Sequence, residues 1–250
     1  MNREGIIIGS DRHQEWLLPW WWEHYSAFNS YPVAFVDFGM SEKALAWCHQ
    51  KGQCIKLPPS NLNIAFPVSV KEQWEARYGK GIWQCRPTWF KKPLALLESP
   101  FSIGLWIDLD CQIRDNLDPL FKCLLFNAEI ALIQEPNFIQ NLERECGFFL
   151  SEEVNYNSGV IVFHQNAPIL HQWMKEIIEQ NEKYVTDQHA LCRAIFKYKP
   201  SLVELPLLYN WPRVLGPNPE AVIFHFCGGA GKIEIIKKGI RPLSTERDKP

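Results

Sequence analysis

The sequence predicts an α/β domain, and three observations predict it. Short apolar runs alternate with stretches of helical periodicity along the chain, as strands and helices alternate in α/β folds. The most apolar run ends on an acidic pair, Asp108-Leu109-Asp110, beyond the carboxyl end of a strand, where open α/β sheets bind ligands. The 250 residues are 46% hydrophobic and 22% charged, an ordinary composition that can bury a large core in one domain. Residues 1–250 are therefore expected to form a single domain, with a polar, frayed tail over about 241–250.

Residues 5–9 read as a buried first strand ending in the polar turn Ser10-Asp11. A helical stretch follows over roughly 14–28. Its Trp16, Trp20, Trp21 and Trp22 are expected to pack into the core, with one ring left exposed. Residues 32–37 read as a second strand, after which Ser41 caps a helix running to about Gln50. Ala44, Leu45, Trp47 and Cys48 fall on one face of that helix. Residues 56–67 are rich in Pro, Asn and Ser and read as a loop.

Pro93 sits near the start of a further helix that ends around Ser99-Pro100, and residues 101–107 form the strand closed by Asp108. Leu132 belongs to a short strand, and Asn157-Ser158-Gly159 opens the strand 160–163. Asn166 and Pro168 begin a helix in which Ile169, Leu170, Trp173, Met174, Ile177 and Ile178 recur at helical spacing. Asp187 begins the next helix. Residues 222–224 show another buried-strand pattern. There is no internal repeat and no low-complexity linker.

Lys+Arg number 26 and Asp+Glu 28, so charge offers no reason to expect nucleic acid as a partner. Lys237-Lys238 reads as a solvated face. None of the eight cysteines forms a C-x-x-C pair, which leaves metal-knuckle and thioredoxin-like readings without their spacing. The amino terminus does not look secretory and no apolar run is long enough for a transmembrane segment. A cytoplasmic location with reduced thiols is the expectation.

Asp108 and Asp110 are the strongest candidates for chemistry. Two carboxylates two apart at a strand end can face the same side. Such a pair suits a hard divalent cation that completes its shell with water and substrate phosphates. Alone, the pair fits two solvated turn residues equally well. His225 follows the strand pattern at 222–224 and precedes a Gly-rich loop, Gly228-Gly229-Ala230-Gly231, that ends in Lys232. A glycine-rich loop lets backbone N–H groups approach an anion, and Lys232 can meet a phosphate as a point charge. The rival reading is a tight turn whose N–H groups act alone while Lys232 points to solvent. His164, His171 and His189 show no metal spacing and read as structural.

In order, the chain carries a strand, Ser10-Asp11, Asp37-x-Gly39-x-Ser41, Lys92-Pro93, Asp108-x-Asp110, Asn157-Ser158-Gly159, Asp187-Gln188, Tyr209-Asn210 and His225…Lys232. This succession resembles a GT-A-fold glycosyltransferase, most closely the glycogenin and galactosyltransferase group known as family 8, from residue 5 to about 235. The resemblance implies a Rossmann-like mixed central sheet flanked by helices. It also implies Mn²⁺, with Mg²⁺ as the alternative, and a nucleotide-sugar donor with a carbohydrate or glycolipid acceptor.

By position, it implies that Asp108, Asp110 and His225 bind the metal. Lys232 would contact the donor diphosphate and Lys92 would reach toward the donor sugar. Ser10 and Asp11 would hold the nucleoside, and Gly228 would lie at the diphosphate. Asn157 and the pair Asp187-Gln188 would line the sugar and acceptor pocket, with neither Asp187 nor Gln188 given a covalent role. Two departures stand out. The family's H-x-x-G-x-x-K-P-W ending here has Lys232 one residue late, followed by Ile233. Ser10-Asp11-Arg12 also lacks the usual Asn-Tyr, which bears on uracil specificity more than on the fold.

A sugar-phosphate nucleotidylyltransferase is the alternative enzyme, but Ile8-Gly9-Ser10-Asp11-Arg12 matches its basic Gly-rich loop poorly. A non-catalytic carbohydrate-binding module is the other, opposed by the intact Asp108, Asp110 and His225.

Overall fold

Ile6, Ile7 and Ile8 are fully buried in β1 (Glu4–Ser10), as side chains on both faces of a central parallel strand must be. The structure is a computed structural model describing residues 3–59, 62–124 and 128–240; the tail expected over 241–250 lies outside the described residues. After β1 a single 3-10 turn leads into α1 (Leu18–Phe28). Trp20 and Trp21 are buried, and Trp16 and Trp22 pack against the same core at its edge.

β2 (Val33–Asp37) and α2 (Glu42–His49) follow, and the Ser41 hydroxyl accepts from the Ala44 N–H as its N-cap. Next come β3 (Gln53–Lys56), α3 (Lys71–Tyr78), α4 (Ile82–Trp89) and α5 (Lys92–Leu97). The chain continues through β4 (Ile103–Ile107), β5 (Cys111–Ile113), α6 (Asp118–Lys122), β6 (Ile130–Gln134), α7 (Asn137–Glu145) and β7 (Tyr156–His164). The remaining elements are α8 (Pro168–Gln180), α9 (Asp187–Tyr198), β8 (Leu202–Glu204), β9 (Trp211–Pro212), β10 (Ile223–His225) and α10 (Gly228–Lys237).

The central sheet has the order β3-β2-β1-β4-β7-β6-β8. β1 runs parallel to both β2 and β4, while β7 runs antiparallel to β4 and β6. The sheet is therefore mixed, with helices around it. The chain leaves β1 for β2 on one side and later places β4 on the other, so a topological switch point lies between the carboxyl ends of β1 and β4. A small second sheet, β5-β10-β9, stands beyond the end of β4. Among the described residues, no helix is long and apolar enough to cross a membrane.

Several sequence expectations need correction. The strand expected over 101–107 starts at Ile103, and Asn157-Ser158-Gly159 lies inside β7 rather than ahead of it. Lys56 closes β3 instead of belonging to the loop expected over 56–67. Ile178 is 61% exposed, on the solvent side of α8. The Gly-rich loop is the first turn of α10. Gly228 enters that turn at φ +81°, in the left-handed region open to glycine.

Candidate active site

The switch point opens into a cleft of about 610 Å³, within the usual range for small-molecule sites. Ser10, Asp11, Lys92, Asp108, Asp110, Asn157, Asp187, Gln188, His225, Gly228 and Lys232 all line it. The backbone explains how residues so far apart in sequence meet. Ser10-Asp11 and Asp108 follow the carboxyl ends of β1 and β4. Because β7 is antiparallel to β4, its first residues lie at that same edge, with the Asp108 N–H donating to the Gly159 carbonyl at 2.8 Å. β5 pairs with β10 in a register that sets Cys111 opposite His225, and the Phe226 N–H donates to the Asp110 carbonyl at 2.9 Å.

That ladder places the Asp110 and His225 side chains together. His225 Nε2 lies 3.3 Å from Asp110 Oδ1, and Lys232 Nζ donates to Asp110 Oδ2 at 2.8 Å. Burial works against charge on Asp110, yet Lys232 and His225 hold its carboxyl far below the usual range. Burial likewise opposes charge on His225, while Cys111, Cys227 and Asp110 favour it, and its pKa is raised. Burial pushes the Cys111 thiol up to about 11, so at neutral pH the Asp110 carboxylate is the partner that counts. Burial opposes the Lys232 charge as well, but Asp110 raises its pKa overall. Among the described residues, Asp110, Cys111 and His225 form a group whose ligand atoms lie within 4.8 Å of one another.

Asp108 turns elsewhere. Its Oδ1 accepts from the Trp106 indole at 2.7 Å and lies 3.1 Å from Lys92 Nζ. Lys92 is buried and also lies 3.1 Å from Asp187 Oδ2, donating besides to the Ser158 carbonyl at 3.1 Å. Burial opposes its charge, but Asp108 and Asp187 raise its pKa overall. On Asp187 burial dominates, so its pKa is raised even with Lys92 beside it. Asp187 and Gln188 open α9, and Gln188 is tethered at both ends of its amide. Its Oε1 accepts from the Ser158 N–H at 3.1 Å and its Nε2 donates to Asn155 Oδ1 at 2.8 Å.

At the β1 end, Asp11 Oδ1 caps the N–H groups of His13 and Gln14, and Oδ2 accepts from the Thr88 hydroxyl at 2.9 Å. Phe38 packs so closely over Gly9 that a Cβ there would strike its ring. The opposite end is walled by Tyr78, Phe138, Ile139, Leu142 and Glu143, with Phe138 and Leu142 exposed.

Sequence reasoning missed Glu135, Asn155, Thr88 and the α7 wall. Glu135 follows β6, accepts from Asn157 Nδ2 at 2.5 Å, and has its pKa raised by burial. A carboxylate immediately after a strand was the available signal there; nothing in the sequence marks the others. Lys232 sits in a helix and faces Asp110, which removes the reading in which it points away to solvent.

No family model matches the sequence, and no curated protein matches it. Solved structures do match. The galactosyltransferase LgtC, in complex with donor and acceptor sugar analogs, superposes with a TM-score of 0.65 at 16% identity, covering 97% of this chain and 98% of that one. Mouse xyloside xylosyltransferase 1 gives 0.53 at 13% identity, over 90% of this chain and 97% of that one. The glycosyltransferase GlyE of Streptococcus pneumoniae gives 0.53 at 13% identity, over 98% and 67%. The chain thus has the GT-A fold of these glycosyltransferases, in agreement with the family 8 resemblance read from its motifs.

Proposed function

We propose that the protein is a metal-dependent glycosyltransferase, built as one domain, that moves a hexose from a UDP-sugar to a carbohydrate or glycolipid acceptor with retention. The observation that carries this reading is the meeting of Asp110, His225 and Lys232 at the switch point, in one cleft with Asp108, Asp187 and Gln188.

A divalent cation fits the residues present. An imidazole nitrogen facing a carboxylate oxygen at 3.3 Å is stable only with a proton or a cation between them. The carboxylate and imidazole favour Mn²⁺ over Mg²⁺, which prefers all-oxygen shells, and a soft sulfur such as that of Cys111 suits neither of these hard ions. Asp110 and His225 would hold the ion; Asp108, whose Oδ1 is held by Trp106 and Lys92, would join only through its other oxygen. A bound cation would supply electrostatic stabilisation to the diphosphate as negative charge grows on it.

The chain's own groups do the rest. Lys232, part-exposed on α10, can exchange Asp110 for a phosphate oxygen without leaving the cleft. Lys92 is shared between Asp108 and Asp187 and offsets one of their two charges, so the sugar would rest on a floor less negative than its carboxylates alone would make it. Asp187 is bound to Lys92 and to the Ser158 hydroxyl, and Gln188 is tied at both ends. Both are therefore positioning groups beneath the sugar rather than free nucleophiles. Ser10 and Asp11, beside Phe38, would hold the nucleoside. The eight free cysteines support a reducing, cytoplasmic setting.

A panel of nucleotide sugars, assayed with and without Mn²⁺ for release of nucleoside diphosphate, tests class, donor and metal together. Release from a UDP-hexose only with Mn²⁺ is expected. Release in EDTA at the same rate would remove the metal from the reading, and no release from any donor would remove the enzyme class.

A further inference from the structure

Four side chains from four separate stretches of the chain, Glu135, Asn157, Asn210 and His225, form a line behind Asp110, and the direction of each hydrogen bond in it is dictated by one backbone group. The Gly159 N–H donates to Asn157 Oδ1 at 2.7 Å. A backbone N–H can only donate, so the atom facing it is the amide oxygen and the other amide atom is nitrogen. That nitrogen, Asn157 Nδ2, donates to Glu135 Oε1 at 2.5 Å, as an acceptor-only carboxylate requires. Asn157 Oδ1 then receives a second donor, Asn210 Nδ2, at 2.7 Å. With its nitrogen committed there, Asn210 presents Oδ1 to His225 Nδ1 at 2.9 Å. An amide oxygen can only accept, so the proton on that ring nitrogen is fixed. His225 therefore carries Nδ1–H, and its Nε2 is the atom left to face Asp110.

We propose that Asn210, oriented by Asn157, is a positioning residue that commits His225 to the Nδ1–H tautomer and so dedicates Nε2 to a divalent cation shared with Asp110. The metal half of this inference rests on the reading of a metal-dependent transferase; the tautomer half does not. Histidine ligands gain orientation and basicity when the second ring nitrogen donates to a fixed acceptor, and loss of that acceptor lowers metal affinity roughly 10–100-fold. The packing fits the same purpose. A Cβ on Gly159 would strike the His225 ring and Asn157 Oδ1, so a side chain there would push the ring off its acceptor. Asn157, Asn210 and His225 are all buried, where an unmade hydrogen bond costs more than at the surface.

Two measurements test it, neither of them turnover. In the first, ¹⁵N-histidine NMR on the whole protein reads the His225 ring nitrogens, without metal and again with Zn²⁺ as a diamagnetic ion. A protonated Nδ1 in both states is expected, with Nε2 protonated toward Asp110 in one and metal-shifted in the other. A bare Nδ1 in either state, or coordination through Nδ1, would overturn the proposal.

In the second, Mn²⁺ alone is titrated by electron paramagnetic resonance into the wild type, Asn210→Leu and Asn210→Asp. The Leu variant, close in volume but without an acceptor, should bind Mn²⁺ ~10–100-fold more weakly. The Asp variant keeps an oxygen for Nδ1–H and should recover most of that loss. Equal weakening in both would mean that Asn210 acts by packing alone, and unchanged binding in the Leu variant would remove its role. Should Asn210→Leu fail to fold, the wild-type NMR still decides the tautomer. Should the wild type bind no Mn²⁺ while Nδ1 is protonated, the metal reading of the site falls and the orientation of His225 stands.

Discussion

At Asp110, a lysine and a histidine share one buried carboxylate, and that sharing gives two expectations of opposite sign. Asp110→Asn keeps the volume and removes the charge. Its circular dichroism should match the wild type, while nucleoside diphosphate release should fall by ~100-fold or more, the scale of losing an electrostatic stabiliser. Retained turnover would misplace the site. Lys232→Ala removes the ammonium from Asp110 Oδ2 and frees that oxygen. Mn²⁺ alone should then bind as well as or better than in the wild type, because a competing cation is gone. The value of kcat/KM should fall by ~100-fold, because the lysine is also expected to meet the diphosphate most strongly in the transition state. Near-normal kcat/KM would favour the backbone N–H groups of α10 as sufficient, and weaker Mn²⁺ binding would contradict the competition. The two acids and His225 were legible in sequence because each ends a strand or follows one closely, where a polar residue after an apolar run is conspicuous. Their partners were not. Nothing in the local pattern says that Lys92 reaches Asp108 and Asp187 together, or that Asn210 meets Asn157, since both depend on which strands become neighbours.

Three helices meet at one buried carboxylate on the far wall of the cleft. Glu143 of α7 accepts from Arg77 and Tyr78 of α3, at 2.6 Å and 2.7 Å for the closest bonds, and pairs with His189 of α9 at 3.3 Å. The Thr186 N–H donates to His189 Nδ1, so the ring offers Nε2–H to Glu143. Burial raises the Glu143 pKa, but His189, Tyr78 and Arg77 together bring it below the ordinary 4.5. A depressed carboxyl pKa adds stability above the unfolded value and loses it as pH falls through the folded one. Glu143→Gln should therefore cost about 1–3 kcal/mol at pH 7, in the range for hydrogen bonds to a charged group, with Arg77 able to recover some solvation. It should also flatten the decline in stability below pH ~4.5, read by urea unfolding across that range. A variant with the wild-type acid limb would show that Glu143 does not act as a charge. These helices also show what the sequence could not reveal at this scale. α3 and α4 are eight residues each with little apolar pattern, and β5, β8 and β9 are two or three residues long, too short for periodicity to register. The glycines of α10 read as a loop because glycine disfavours helix. The helix forms because Gly231 lies against the Phe226 carbonyl, where a Cβ would collide, and because Ile235 is buried.

Over the whole molecule, the cleft is a seam between the central sheet and the small β5-β10-β9 sheet, so whatever bridges it stabilises both. Alternating apolar and helical segments were enough to place an α/β fold, yet the strand order and the reversal of β7 were not legible, because buried strands look alike in either direction. That reversal brings Asn157, Ser158 and Gly159 to the carboxyl end of β4, and so puts half of the site opposite Asp108. Asp108 and Asp110 lie two apart in sequence, and a diphosphate brought to them alone would meet like charge. Lys232 offsets Asp110 while Lys92 is shared between Asp108 and Asp187, leaving no surplus of positive charge from these lysines to receive a doubly charged ligand. UDP alone should consequently shift the thermal midpoint little. With Mn²⁺ present, UDP at ~100 times its Kd should add about 2.7 kcal/mol by mass action. For a chain of this size each kcal/mol raises Tm by roughly 2–4 °C, so the pair should raise it by about 5–10 °C. Asp110→Asn should abolish the increment that needs both ligands. An equal shift from UDP in EDTA would show that the chain's own cations are sufficient, and that the nucleotide holds the two sheets together without a metal.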